Sequence, residues 1–291
     1  MTDRLVKGLA FNDQIRVMAV DATNTVEEAH QRHDTWSNAS AALGRTLTGA
    51  LLLASGMDTE DHLTVRISGN GPLGGITVSA DGHGNVKGYV EHPHVSLPLN
   101  DFGKIDVFGA VGNQGTLSVT KDMGMAEPFT GQVPLISGEI AEDFTYYLAQ
   151  SEQIPSAVAL GTLVDTDEHI LQAGGWVIQV LPFADDEVIE RVEKAVKETA
   201  QVTKLLEDGL DPKAMIIKLL GEENVRFLAD YPVQFHCDCN KERFASGLHA
   251  LPSEQLTPLI EEDHGAEIVC QFCGKTYTFT EAELQAIQAS K

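Results

Sequence analysis

The stretch His62-Leu63-Thr64-Val65-Arg66-Ile67-Ser68-Gly69-Asn70-Gly71-Pro72-Leu73-Gly74-Gly75-Ile76-Thr77-Val78-Ser79-Ala80 decides the fold. On both sides of a centre rich in Gly, Asn and Pro, β-branched and apolar residues alternate with polar ones. That is the signature of two strands joined as a hairpin. The same centre, Gly69 to Gly74, matches G-x-G-x-x-G. A phosphate-cradling loop of that kind must open a helix, whose N-terminal N–H groups hold the anion. Gly75 to Ser79 is strand-like, so the loop is read as a turn. Downstream, Val86–His92, Ile105–Val111 and Thr116–Thr120 read as further short strands, implying an antiparallel sheet.

Farther out, Gln14–Val20 reads as a strand, and Thr25–Asp34 and Trp36–Ser55 as helices, the second rich in Ala, Leu and small residues. Glu139–Ser151 reads as a helix, with Ser137 or Gly138 near its cap, and Ala157–Val164 and Gly174–Leu181 as strands. Helices and strands are segregated rather than alternating, which predicts an α+β fold: an antiparallel sheet with packed helices over residues 1–184. Residues 185–231 differ in composition. They carry 7 basic and 12 acidic residues, against 9 and 22 over the much longer 1–184. Val188, Val192 and Val196, then Asp211-Pro212 before Ile216, Ile217, Leu219 and Leu220, then Val225, Phe227 and Leu228 read as short amphipathic helices. Short helices depend on the surface they pack against, so this segment is expected to be a metastable helical linker.

The chain of 291 residues has a net charge of -23 with 43% hydrophobic residues, enough for a sizeable core. Such an acid excess disfavours nucleic acid and anionic membrane surfaces as partners. Met1 to Val20 has no continuous apolar core of signal-peptide length, and Ala50-Leu51-Leu52-Leu53-Ala54 is too short to span a bilayer. The expectation is a soluble, cytoplasmic protein.

All four cysteines lie near the C-terminus: Cys237-x-Cys239 and Cys270-x-x-Cys273. Two close thiol pairs supply four soft ligands, suited to one tetrahedral zinc ion that helps fold residues 232–291. Gly274 resembles the tight turn of a zinc knuckle, and His236 is a spare donor beside a complete tetrahedron. Each pair is also close enough to close on itself as a disulfide; spacing permits such a switch without establishing it. The other candidates read blandly. His30 with His33, and His92 with His94, read as surface or packing residues, and Glu27-Glu28 and Glu222-Glu223 as solvated helix positions. No nucleophile elbow or P-loop is present.

Phe235-His236-Cys237-Asp238-Cys239 with Glu242 and Arg243, Cys270-Gln271-Phe272-Cys273 and Tyr277-Thr278-Phe279 together resemble the zinc domain of the heat-shock protein 33 family. Gly69 to Gly74, Asp122-Met123-Gly124, Pro128 to Gly131, Ser137 to Asp143 and Ser151 to Pro155 extend the resemblance, in order, over nearly the whole chain. Asn240-Lys241 is a local departure. The resemblance implies a redox-regulated holdase that is not an enzyme and works without ATP. Its quiescent form holds zinc on Cys237, Cys239, Cys270 and Cys273. Its oxidised form carries the disulfides Cys237–Cys239 and Cys270–Cys273 and binds unfolding client proteins. A homodimer is also implied. Two other classes remain: a thiol–disulfide oxidoreductase, which usually has a βαβ pattern around its C-x-x-C, and a zinc-ribbon protein-interaction module.

Overall fold

A computed structural model describes residues 2–291. The chain divides between His236 and Cys237 into a large unit and a small one of about 55 residues. That division lies beyond the 231/232 boundary read from composition. The reason is a two-residue strand at Gln234–Phe235, which pairs into a sheet of the large unit.

The large unit opens with β1 (Arg4–Ala10) and β2 (Ile15–Asp21), then α1 (Thr23–His33) and α2 (Ser37–Ala54). The decisive stretch forms β3 (His62–Ser68) and β4 (Gly75–Asp81), paired antiparallel from His62↔Asp81 to Ser68↔Gly75. Buried residues alternate along both strands, as the pattern requires. The intervening loop packs by backbone, with Gly71 N–H donating to the Val111 carbonyl at 2.9 Å and Leu73 N–H to Ala110 at 3.1 Å. A β-carbon on Gly69 or Gly71 would collide with those same carbonyls, which is why glycine stands there.

Next come β5 (Asn85–Val90), α3 (Val107–Val111), β6 (Thr116–Asp122), β7 (Phe129–Pro134), α4 (Ala141–Gln150), β8 (Ser156–Val164) and β9 (Ile170–Val180). Ile105–Val111, expected as a strand, is mostly the one-turn helix α3. Asp106 caps it by accepting the Gly109 N–H at 2.8 Å, so the local cap outweighs β-branched composition. The segment 185–231 begins with α5 (Asp186–Glu198), α6 (Val202–Glu207) and α7 (Pro212–Leu220). Pro212 stands in the first turn of α7 and Asp211 caps it through the Ala214 N–H, as the sequence indicates. Val225 onward is not helical. It forms β10 (Val225–Pro232), antiparallel to β1 from Arg4↔Pro232 to Ala10↔Val225, and β11 (Gln234–Phe235) follows.

The first sheet has the order β10-β1-β2-β9-β8, and the second β11-β5-β4-β3-β6-β7, antiparallel except for β11 beside β5. Helix α2 packs against strands of both sheets. It is buried nearly all round, as expected of a helix rich in Ala, Leu and Gly, and Gly49 leaves room for the Phe144 ring. One further layer rests on the first sheet: Val192 of α5, Val202, Leu205 and Leu206 of α6, and Met215, Ile216, Leu219 and Leu220 of α7 join Ile15, Val17, Ala19, Trp176 and Ile178 in one apolar cluster.

The small unit contains α8 (Lys241–Ala250), α9 (Ser253–Glu261), the hairpin β12 (Gly265–Val269) and β13 (Thr276–Thr280), and α10 (Glu281–Ala289). Its buried side chains are few: Leu248, Leu256, Ile260, Tyr277, Phe279, Leu284 and two cysteines. Among the described residues, no helix is long and apolar enough to cross a membrane.

Candidate metal centre

Two structural devices bring the cysteines together. Cys237 and Cys239 lie in the extended segment between β11 and α8. Asn240 caps α8 by accepting the Arg243 N–H at 2.8 Å, and Lys241 pairs with Glu283 at 2.6 Å. Asn240-Lys241 thus anchors the helix that follows the first thiol pair. Lys241, then the Thr280 N–H, holds the Glu283 carboxyl down at about 2. Cys270 and Cys273 occupy the turn of the β12–β13 hairpin. Cys270 N–H donates to Lys275 O at 2.9 Å, and the N–H groups of Cys273 and Gly274 both turn back to Cys270 O, at 3.3 and 2.8 Å. Closing that turn puts Gly274 at φ +72°, a left-handed conformation that glycine adopts without penalty.

The four sulfurs lie within 4.8 Å of one another. Cys237 Sγ stands 3.8 Å from Cys270 Sγ, and Cys239 Sγ 3.4 Å from Cys273 Sγ. A tetrahedron with metal–sulfur bonds of about 2.3 Å has edges of about 3.8 Å. None of the four is in a disulfide; Cys270 and Cys273 are buried and the other two half-buried. Electrostatics agree with the need for a cation. Burial pushes the Cys237 thiol up to about 12 and raises that of Cys273. Burial also opposes charge on Cys239, but hydrogen bonding with Tyr277 and the neighbouring thiols outweighs it and brings that thiol down to about 7. Burial thus opposes charge on Cys237 and Cys273, while the hydrogen bonds to Cys239 favour it there. Four thiolates at these separations require a divalent cation among them, and an all-sulfur tetrahedral donor set fits zinc.

Tyr277 is the supporting residue whose role the sequence does not disclose. Its hydroxyl donates to the Cys239 carbonyl at 2.8 Å and lies 3.2 Å from Cys239 Sγ. Its ring packs against Phe244 with centroids 4.9 Å apart, locking α8 to β13 behind the sulfurs. His236 is outside the group; its N–H donates to Val86 O in the large unit. Cys270 and Cys273 sit in a hairpin turn, unlike the βαβ setting of a thioredoxin-like redox motif.

A sequence profile described as Hsp33 protein matches residues 3–280. The 33 kDa chaperonin of Lactiplantibacillus plantarum is 56% identical over 99% of this chain and 97% of its own length. That of Enterococcus faecalis is 54% identical over 98% and 95%. The chain belongs to the heat-shock protein 33 family. The crystal structure of the 33 kDa chaperonin of Thermotoga maritima superposes with a TM-score of 0.93 at 37% identity, covering 100% of this chain and 99% of that one. Members of the family are chaperones rather than enzymes, so the cysteine cluster belongs to a chaperone that takes unfolded proteins as clients.

Proposed function

We propose that the protein is an ATP-independent holdase gated by thiol oxidation, reduced and zinc-bound when quiescent. The observation that carries this reading is the convergence of four sulfurs in a unit with few other buried side chains. Cys237, Cys239, Cys270 and Cys273 would hold one zinc per chain, and zinc bound there would supply on the order of 10 kcal/mol to folding. Oxidation by hypochlorite or peroxide forms Cys237–Cys239 and Cys270–Cys273. Each pair of thiolates gives up two electrons and the zinc they would hold is released, with hypochlorous acid reduced to chloride and hydroxide, or peroxide to two hydroxide ions. The pairing follows the family resemblance. Loop closure supports it, since each local bridge spans far fewer residues than a bridge between the pairs.

Without its four thiolates, the unit from Cys237 to Lys291 loses the donors that a cation would organise. Residues 185–231 are the second part of the proposed switch. Their helices cover apolar residues of the first sheet, so their release would uncover two matched surfaces, the sheet face with Val17, Trp176 and Ile178, and the helix face with Leu205, Ile216 and Leu219. Such surfaces bind the apolar segments that an unfolding client presents. The charge of -23 keeps these complexes soluble by mutual repulsion. The protein is proposed to be a cytoplasmic homodimer with no nucleic-acid partner.

Light scattering of a thermally unfolding client, without nucleotide, tests the reading. Oxidised protein should suppress aggregation and reduced zinc-bound protein should not. Equal suppression by both forms would overturn the redox gate.

A further inference from the structure

A second cluster of ligand-type side chains lies in the large unit, and it includes His30, which the sequence suggests is a surface or packing residue, and Glu27, which it suggests is a solvated helix position. Glu27, His30 and His169 each present one ligand atom within 4.8 Å of the other two. Glu27 and His30 are three residues apart on α1 and so share a face. His169 stands in the turn between β8 and β9, more than a hundred residues away in sequence. Glu27 is not the solvated position its sequence context suggests. It is half-buried and hydrogen-bonded to that turn.

Each member of the cluster is held in place. His30 Nδ1 faces the Thr35 carbonyl at 2.9 Å, with Thr35 Oγ1 and Ser40 Oγ each at 3.2 Å. Donation to the carbonyl puts the proton on Nδ1 and leaves Nε2 with its lone pair, the arrangement found behind metal-bound imidazoles. Glu27 Oε2 accepts the backbone N–H of Ile170 at 2.8 Å. Glu27 Oε1 accepts from Gln31 Nε2 at 2.7 Å and lies 3.1 Å from His169 Nδ1. The turn itself is pinned by Asp165 Oδ1, which accepts the N–H groups of Asp167 and His169 at 2.8 and 2.9 Å.

We infer that Glu27, His30 and His169 form a second cation site, separate from the thiols, for a divalent first-row transition ion such as zinc. Two imidazole nitrogens and one carboxylate oxygen suit zinc, copper(II) or nickel. Calcium and magnesium prefer all-oxygen shells, and copper(I) prefers sulfur. Half-buried Glu27 and His30 supply a fixed pair, while exposed His169 leaves an entry path. Three protein ligands leave room for water, so this site is weaker and more exchangeable than a closed four-thiolate one. Its occupancy would clamp α1 to the β8–β9 turn.

The test is equilibrium dialysis of the reduced full-length protein against micromolar free zinc, followed by metal analysis. The quantity read is the difference between the wild type and His169→Ala, an exposed-turn substitution. We expect the wild type to retain one more zinc per chain than His169→Ala or His30→Gln. His83→Ala should lose none, because His83 is no member of the cluster and its ring faces Glu60 at 3.6 Å instead. Circular dichroism and the thermal midpoint confirm that the variants are folded. No difference between wild type and His169→Ala overturns the inference, as does an equal loss in His83→Ala. A paired Cys270→Ser, Cys273→Ser variant separates the two sites. If the thiols bind no metal, that variant still differs by one zinc from its own His169→Ala derivative.

Discussion

Glu152 shows what a single side chain can hold together. It takes Lys121 of β6 at 2.6 Å and the Tyr147 hydroxyl of α4 at 2.6 Å on the same oxygen, Oε1. Burial opposes its charge, but Lys121 and Tyr147 outweigh this and hold the carboxyl below its ordinary value. A carboxylate with a lowered folded-state value stabilises above its unfolded value, and the contribution fades as pH falls through the lowered one. Glu152→Gln should therefore cost about 1–2 kcal/mol in urea unfolding at pH 7 and progressively less below about pH 4. A cost independent of pH would mean that only shape matters there. Gly274 allows a second comparison. At φ +72°, Gly274→Ala should cost about 1 kcal/mol or more and weaken zinc binding in a chelator competition. Gly247→Ala, inside α8 with nothing near its added methyl, should leave zinc binding unchanged and favour the helix. The proposed ligands are legible because C-x-C and C-x-x-C each bring two thiols together by local geometry. Tyr277 and Glu27 are not, because their partners come from other elements.

Among the elements, 185–231 is graded in how firmly it is held. Helix α5 buries only Val192, whereas α7 buries Met215, Ile216, Leu219 and Leu220. Hydrogen exchange on the reduced protein should accordingly show α5 opening first and α7 well after it, with the β9 core strand slowest. Ile216→Ala should cost about 2–4 kcal/mol and Val192→Ala about 1. Uniform exchange across the segment, or a larger cost at Val192, would contradict this grading. The same contrast explains where pattern reading succeeds. The β3–β4 hairpin pairs residues close in sequence, so alternation and turn chemistry suffice. Strand β10 pairs with β1 across more than two hundred residues, and nothing local signals that partner. Its alternation at Val225, Phe227, Ala229 and Tyr231 is present in the chain but follows three helices and reads as their continuation. Strand β7 is exposed along most of its length and contains Gly131 and Pro134, so it carries little apolar signal.

At the scale of the molecule, stability is unequally divided. The large unit has two sheets and a helix buried between them; the small unit has few buried apolar side chains and four sulfurs. Domains this small rarely gain more than a few kcal/mol from their core, and the proposed zinc would supply the remainder. Because a ligand that binds only the folded form stabilises it by RT ln(1 + [L]/Kd), each tenfold rise in free zinc should add about 1.4 kcal/mol to the small unit. Calorimetry of reduced protein, with free zinc buffered well below micromolar, should then show two transitions. The lower should climb with zinc and the upper should stay in place, because the weaker Glu27–His30–His169 cluster remains empty at those concentrations. A strong chelator should abolish the lower transition while the far-ultraviolet signal of the sheets persists. A small unit that keeps its transition in chelator, with all four thiols titratable, would show that the sulfurs are not its fastening. In that case their oxidation would have no means of unfolding it, and the proposed gate would fail.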